Sequence, residues 1–149
     1  MRIFVLALAG ALAVPSHAAT GAPQVVTLTQ VACQFLEREG GKNLGYKSTK
    51  AADCEEINAR TGKQRLSAAK PLELAPGKYV FRVTNRDVPY PLGFWLRGAS
   101  LVDRARLPSV SGGGLDPGKT QDYAIELKPG NYVFSCPLNP TPDYVLIVK

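Results

Sequence analysis

Two stretches of the chain repeat one pattern. Leu72 to Val83, LELAPGKYVFRV, and Ile125 to Cys136, IELKPGNYVFSC, share Glu, Leu, Pro, Gly, Tyr, Val and Phe at equivalent places. In each, a strand-forming run meets Pro-Gly, which turns the chain, and a second run follows with aromatic residues two apart. Side chains two apart on a strand point the same way. Tyr79, Phe81 and Val83 are therefore expected on one face, and Tyr132, Phe134 and Cys136 on another. Two copies are too few for a solenoid and fit two equivalent edges of one β-sandwich. Further Pro-Gly punctuation at Pro117-Gly118, and the alternating run QVVTLTQV from Gln24 to Val31, extend the all-β reading. Phe94 and Trp95, in LGFWLRG, are expected in the core.

One segment breaks the β pattern. Residues 33–66 carry Gly40-Gly41 and Gly45, then STKAADCEEINARTG, where Ser48 or Thr49 is placed to cap a helix that ends at Gly62. The expectation is a β-sandwich with one short helix in an insertion.

The N-terminus reads as a Sec-type signal peptide over residues 1–18. Arg2 is followed by an apolar run from Ile3 to Val14 and by Ser16 and Ala18 at an A-x-A-like cleavage site. The expected product is one domain, 19–149, periplasmic or secreted, with no transmembrane segment. Loss of Arg2 lowers the formal net charge from +6 to +5, and the remaining Lys and Arg are scattered. Nucleic acid is not an expected partner, because a phosphate-binding face needs clustered cations.

The single His and single Met are His17 and Met1, both inside the signal segment. The processed chain would then lack imidazole and thioether. Ser-His-Asp and Cys-His catalysis, His-ligated zinc, covalent c-type haem and copper held by two histidines all fail for want of a ligand or base. Enzymatic activity is not expected.

From Leu72 to Lys149 the chain resembles a cupredoxin. The order FRVTN, RDVPYPLGFWL, then LDPGKTQDYAIELKPGNYVFSCPL follows that family's V-x-N, P-H, L-x-P-G-x-T and P-G-x-Y-x-F-x-C-P. The resemblance implies a Greek-key β-sandwich whose usual metal is type 1 copper held by two His, one Cys and a weak axial Met. Cys136 falls on the copper cysteine and Tyr90 on the first histidine position, while Asn139, Pro140, Thr141, Pro142, Asp143 and Tyr144 follow where the other ligands would stand. Type 1 copper is therefore not expected. The closing CPLNPTPDYVLIV is similar to the His-poor cupredoxin-like domain of periplasmic iron-uptake proteins of the EfeO type, which implies metal handling in the envelope with a metal-transport or oxidase protein as partner.

Three cysteines leave one unpaired within a monomer. Cys33 and Cys54 flank the insertion, and a bridge between them would staple it with about 3 kcal/mol of loop entropy; the two pairings that use Cys136 stay open. With Cys136 free, two readings stand. It is a small buried hydrophobe in a packed, metal-free interaction module, or it anchors a copper or iron ion with Tyr90, Asn139 or Asp143 as oxygen donors. A third class, disulfide exchange at Cys136, needs a lowered thiol pKa. Gly112-Gly113-Gly114 reads as a flexible loop, and Glu37, Glu39, Glu55 and Glu56 as a solvated acidic face.

Overall fold

The computed structural model describes residues 21–149; residues 1–18, expected above to be a signal peptide, lie outside them. Among the described residues nine strands form two sheets. Strand β1 (Gln24–Val31) is followed by the two-residue β2 (Gln34–Phe35), a 3₁₀ turn (Leu36–Glu39) and helix α1 (Ala51–Ala68). Then come β3 (Leu72–Leu74), β4 (Gly77–Asn85), β5 (Leu92–Gly98), helix α2 (Leu101–Arg106), β6 (Val110–Leu115), β7 (Thr120–Leu127), β8 (Gly130–Ser135) and β9 (Tyr144–Val148). One sheet runs β2-β1-β4-β7 and the other β3-β9-β8-β5-β6, with repeated crossings between them. The result is an all-β sandwich carrying a helical insertion.

Neither repeat folds into a hairpin. In the first, β3 lies in the five-stranded sheet and β4 in the four-stranded one; in the second, β7 and β8 make the same crossing in the opposite sense. Each Pro-Gly thus carries the chain over the rim of the sandwich. Gly77 and Gly130 take φ of 149° and 156°, which a side chain resists. Each corner is then closed by its tyrosine: Tyr79 Oη donates to the Ala75 carbonyl at 2.9 Å and Tyr132 Oη to that of Lys128 at 2.8 Å. The repeated tyrosine is thus a corner bond, with the ring buried in the core and its hydroxyl holding the chain just before the turn.

The inner faces follow the alternation. Tyr79, Phe81 and Val83 meet Tyr132, Phe134 and Cys136, and Phe94 packs against Phe81 and Phe134 with centroids 5.5 and 5.9 Å apart. Trp95 departs from expectation. Its neighbours Phe94 and Leu96 take the inward positions of β5, so Trp95 faces outward, 37% exposed, under the Arg97 guanidinium at 3.9 Å. Gly112–Gly114 also depart: they lie in edge strand β6, paired to β5, instead of a loop. Gly93 explains the close pairing, since a Cβ there would stand 2.6 Å from the Gly112 carbonyl oxygen.

The insertion holds the expected helix, but longer. Lys50 is its N-cap, and Asp53 reaches back to the backbone N–H groups of Thr49 and Lys50 at 2.8 and 3.2 Å. The helix runs through Gly62 to Ala68 because nothing at Gly62 demands a left-handed turn. A second helix, α2, was not anticipated; Ser100 and Asp103 form its capping box. Since a Cβ on Gly62 would meet only Asn58 Cβ of the same helix, at 3.7 Å, Gly62→Ala is expected to stabilise the protein by about 0.5–1 kcal/mol through helix propensity. A lowered urea midpoint for this variant would contradict that placement.

Candidate functional site

Cys136 follows directly on β8, on the inner face, 1% exposed. Its Sγ accepts the N–H of Asn139 at 3.2 Å and of Gly93 at 3.4 Å. Burial pushes the thiol pKa up, with these N–H groups pulling against it. The thiol is near enough to two phenols, Tyr90 and Tyr123, that a thiolate would oppose the ionisation of either.

Tyr90 reaches this pole from the loop after β4. Asn85, fully buried at the end of β4, shapes that loop: its Nδ2 donates to the Tyr90 and Leu115 carbonyls at 3.1 and 3.2 Å, and its Oδ1 accepts the Val88 N–H at 3.0 Å. The Tyr90 hydroxyl bonds Ser48 Oγ of the insertion. Burial raises its pKa, partly offset by that bond. Tyr123, on β7, is buried; its hydroxyl donates to the Gly112 carbonyl at 3.4 Å, and burial first, then Cys136, pushes its pKa up to about 12.

Asn139 is turned away from any ligand role. Its Oδ1 accepts the Cys33 N–H at 2.7 Å, and its Nδ2 donates to the Val31 carbonyl at 2.9 Å and Gln30 Oε1 at 3.3 Å. The same Gln30 spans the sandwich, its Nε2 donating to the Gly93 carbonyl at 2.8 Å. Asn139 thereby ties the loop after β8 to the turn that carries the disulfide. That disulfide joins Cys33 to Cys54, with Cα atoms 5.0 Å apart, and leaves Cys136 a buried free thiol. Cys33 itself sits at φ 65°, a left-handed conformation uncommon for a side-chain-bearing residue. Asp143 turns elsewhere, its Oδ1 accepting from Arg97 Nη2 at 2.8 Å.

The four sequence candidates therefore do not converge. Cys136 and Tyr90 share a pole, Asn139 is spent on the disulfide turn, and Asp143 joins Arg97. Among the described residues no group of three or more His, Cys, Asp and Glu gathers as a metal cluster would. A thiol held by two N–H donors, a phenol bonded to serine and a committed carboxamide do not make a type 1 copper ligand set. Tyr123, Ser48 and Gln30 complete the pole. Tyr123 and Gln30 lie in alternating runs that the sequence marks as strands, DYAIEL and QVVTLTQV, but nothing local brings either to Cys136.

No family model matches the chain, and no curated protein does. Among solved structures it is similar to a multi-copper oxidase from Pediococcus acidilactici, with a TM-score of 0.41 and 11% identity, covering 93% of this chain and 28% of that one. A laccase from Pediococcus acidilactici gives a TM-score of 0.42 and 11% identity, covering 96% of this chain and 29% of that one. The chain spans less than a third of these enzymes. At such scores the likeness carries no argument about this site.

Two outcomes follow from the geometry. Asn139→Ala strands the Cys33 N–H and the Val31 carbonyl in the interior and is expected to cost about 2–4 kcal/mol, against under about 1 kcal/mol for Asp143→Asn, whose half-exposed side chain keeps an amide oxygen for the buried Arg97; urea unfolding of both variants measures the contrast, and equal losses would refute it. The second concerns alkali. Cys136, Tyr90 and Tyr123 hold their protons more tightly folded than unfolded. Below their unfolded pKa values this stabilisation is fully present; as pH rises above about 9 the unfolded chain sheds protons first, and stability falls until the folded groups ionise. The urea midpoint should drop from neutral pH to about pH 10.5, and less so in Tyr123→Phe. An identical drop in that variant would remove Tyr123 from the account.

Proposed function

We propose that this chain is an exported, cupredoxin-like, non-catalytic accessory in envelope metal handling, acting by docking on a metal-transport or oxidase protein instead of carrying the metal. One observation bears most of the weight. The cysteine at the motif's ligand position is buried, and Asn139, the amide three residues on, is consumed in holding the disulfide turn. The pole is organised as packing, with a staple closing it. The Cys33–Cys54 disulfide suits an oxidising compartment, and the link to metal handling rests on the P-G-x-Y-x-F-x-C-P resemblance.

A second reading has its own support. Two backbone N–H groups aimed at Cys136 Sγ stabilise a thiolate, the form that binds a soft cation such as Cu(I), and the phenols of Tyr90 and Tyr123 stand close by. Disulfide exchange at Cys136 is disfavoured, because its pKa is raised and the thiol is enclosed.

Metal analysis of the protein purified from the cell envelope separates the first two readings. The docking reading expects far less than one copper or iron ion per chain in both wild type and Cys136→Ser, and no intense blue colour on adding Cu(II). Near-stoichiometric metal in wild type that is lost in Cys136→Ser would replace it with the carrier reading.

A further inference from the structure

We propose that the cavity between the 3₁₀ turn and the C-terminal half of α1 binds a small amphipathic carboxylate, an alkyl chain ending in one anionic group. This site is separate from the Cys136 pole and independent of the reading given to it. Its volume is about 800 Å³, within the range of sites that enclose small molecules.

The lining divides by chemistry. Leu44, Tyr46, Ala68, Ala69 and Pro71 supply apolar surface, and Leu44 is left 39% exposed. Two cations, Arg38 and Lys70, stand in the same wall. The third, Arg65, is committed: its Nε and Nη2 bond the Glu39 carboxylate, its Nη1 donates to Asn58 Oδ1 at 2.7 Å, and its Nη2 reaches the Cys33 carbonyl at 2.8 Å. Glu39 is in turn compensated by Arg65 and by the Tyr144 hydroxyl, so it does not present a free negative charge to a cation. Glu37, the remaining acid of the lining, turns its carboxylate to the Thr29 N–H at 2.7 Å.

With Glu39 held by Arg65, the cations Arg38 and Lys70 outnumber the one remaining acid, Glu37, whose charge also bears on Arg38, so the wall keeps a net positive charge. Arg38 donates through Nη2 to the Lys70 carbonyl, and its Nε is enclosed with no hydrogen-bond partner among the described residues. A carboxylate seated between the Arg38 guanidinium and the Lys70 ammonium pairs with both charges, while an alkyl chain lies along Leu44, Ala68 and Pro71. Charge complementarity thus selects an anion and the apolar wall selects its body.

Isothermal titration of decanoate and of decyltrimethylammonium into the protein tests this. Decanoate should saturate one site, and the cation of equal chain length should bind about tenfold more weakly or not at all. Lys70→Glu should weaken decanoate about tenfold. Ala68→Phe, a change at an exposed helical position, should narrow the cavity and weaken decanoate about tenfold without lowering the thermal midpoint. The proposal fails if wild type shows no saturable decanoate binding, if both amphiphiles bind alike, or if a folded Ala68→Phe protein binds decanoate as wild type does.

Discussion

The carboxamide of Asn139 is the joint on which this pole of the molecule depends. It is fully buried and satisfies, at one point, a backbone N–H, a backbone carbonyl and a glutamine side chain that all lie more than a hundred residues away in sequence. Its own N–H supports Cys136 Sγ. No apolar residue of similar size substitutes for it, because the Cys33 N–H and Val31 carbonyl would be left in the interior without partners. The disulfide turn, the loop after β8 and the cysteine thus form one connected unit.

The insertion is attached by similar means. The buried positions of α1 are Cys54, Gly62 and Arg65, a poor hydrophobic face for an eighteen-residue helix. A covalent bond at Cys54 and a buried ion pair at Arg65 replace the apolar stripe. Because Glu39 also accepts from the Tyr144 hydroxyl of β9, the helix, the 3₁₀ turn and the five-stranded sheet meet at one carboxylate. Breaking one partner of such a pair strands a charge in the interior. The cavity opens beside this attachment, with Thr61, Gln64, Arg65 and Ala68 of the helix in its wall.

Much of the sandwich was legible from local pattern. The alternation in QVVTLTQV matches β1 over its whole length, and the aromatic residues two apart in both repeats lie on the inner faces. The bridge expected between Cys33 and Cys54 is the pairing found, with Cys54 in the first turn of α1, inside the insertion and not at its far end. Local pattern misled at Trp95, where size suggested burial but the pleat of β5 points it outward beneath Arg97. It misled again at Glu39, which resembled any surface acid until Arg65, on a different element, came within 2.6 Å, and at Gly62, where a residue common at helix ends proved to lie inside one.

The sequence by itself determined where β1 and the strands of the two repeats run, which of their side chains share a face, and where the chain must turn, since period-two alternation and Pro-Gly corners are properties of neighbouring residues. It also placed Cys136 in line with core aromatics. The tertiary structure alone decided that each Pro-Gly corner crosses between sheets instead of closing a hairpin, and that Asn139 holds a turn instead of facing a ligand. It likewise drew Asp143 to Arg97 and left Cys136 with two N–H donors. The reason is that a polar side chain in an interior takes whichever partners the fold brings within about 3 Å, and those partners come from strands distant in sequence.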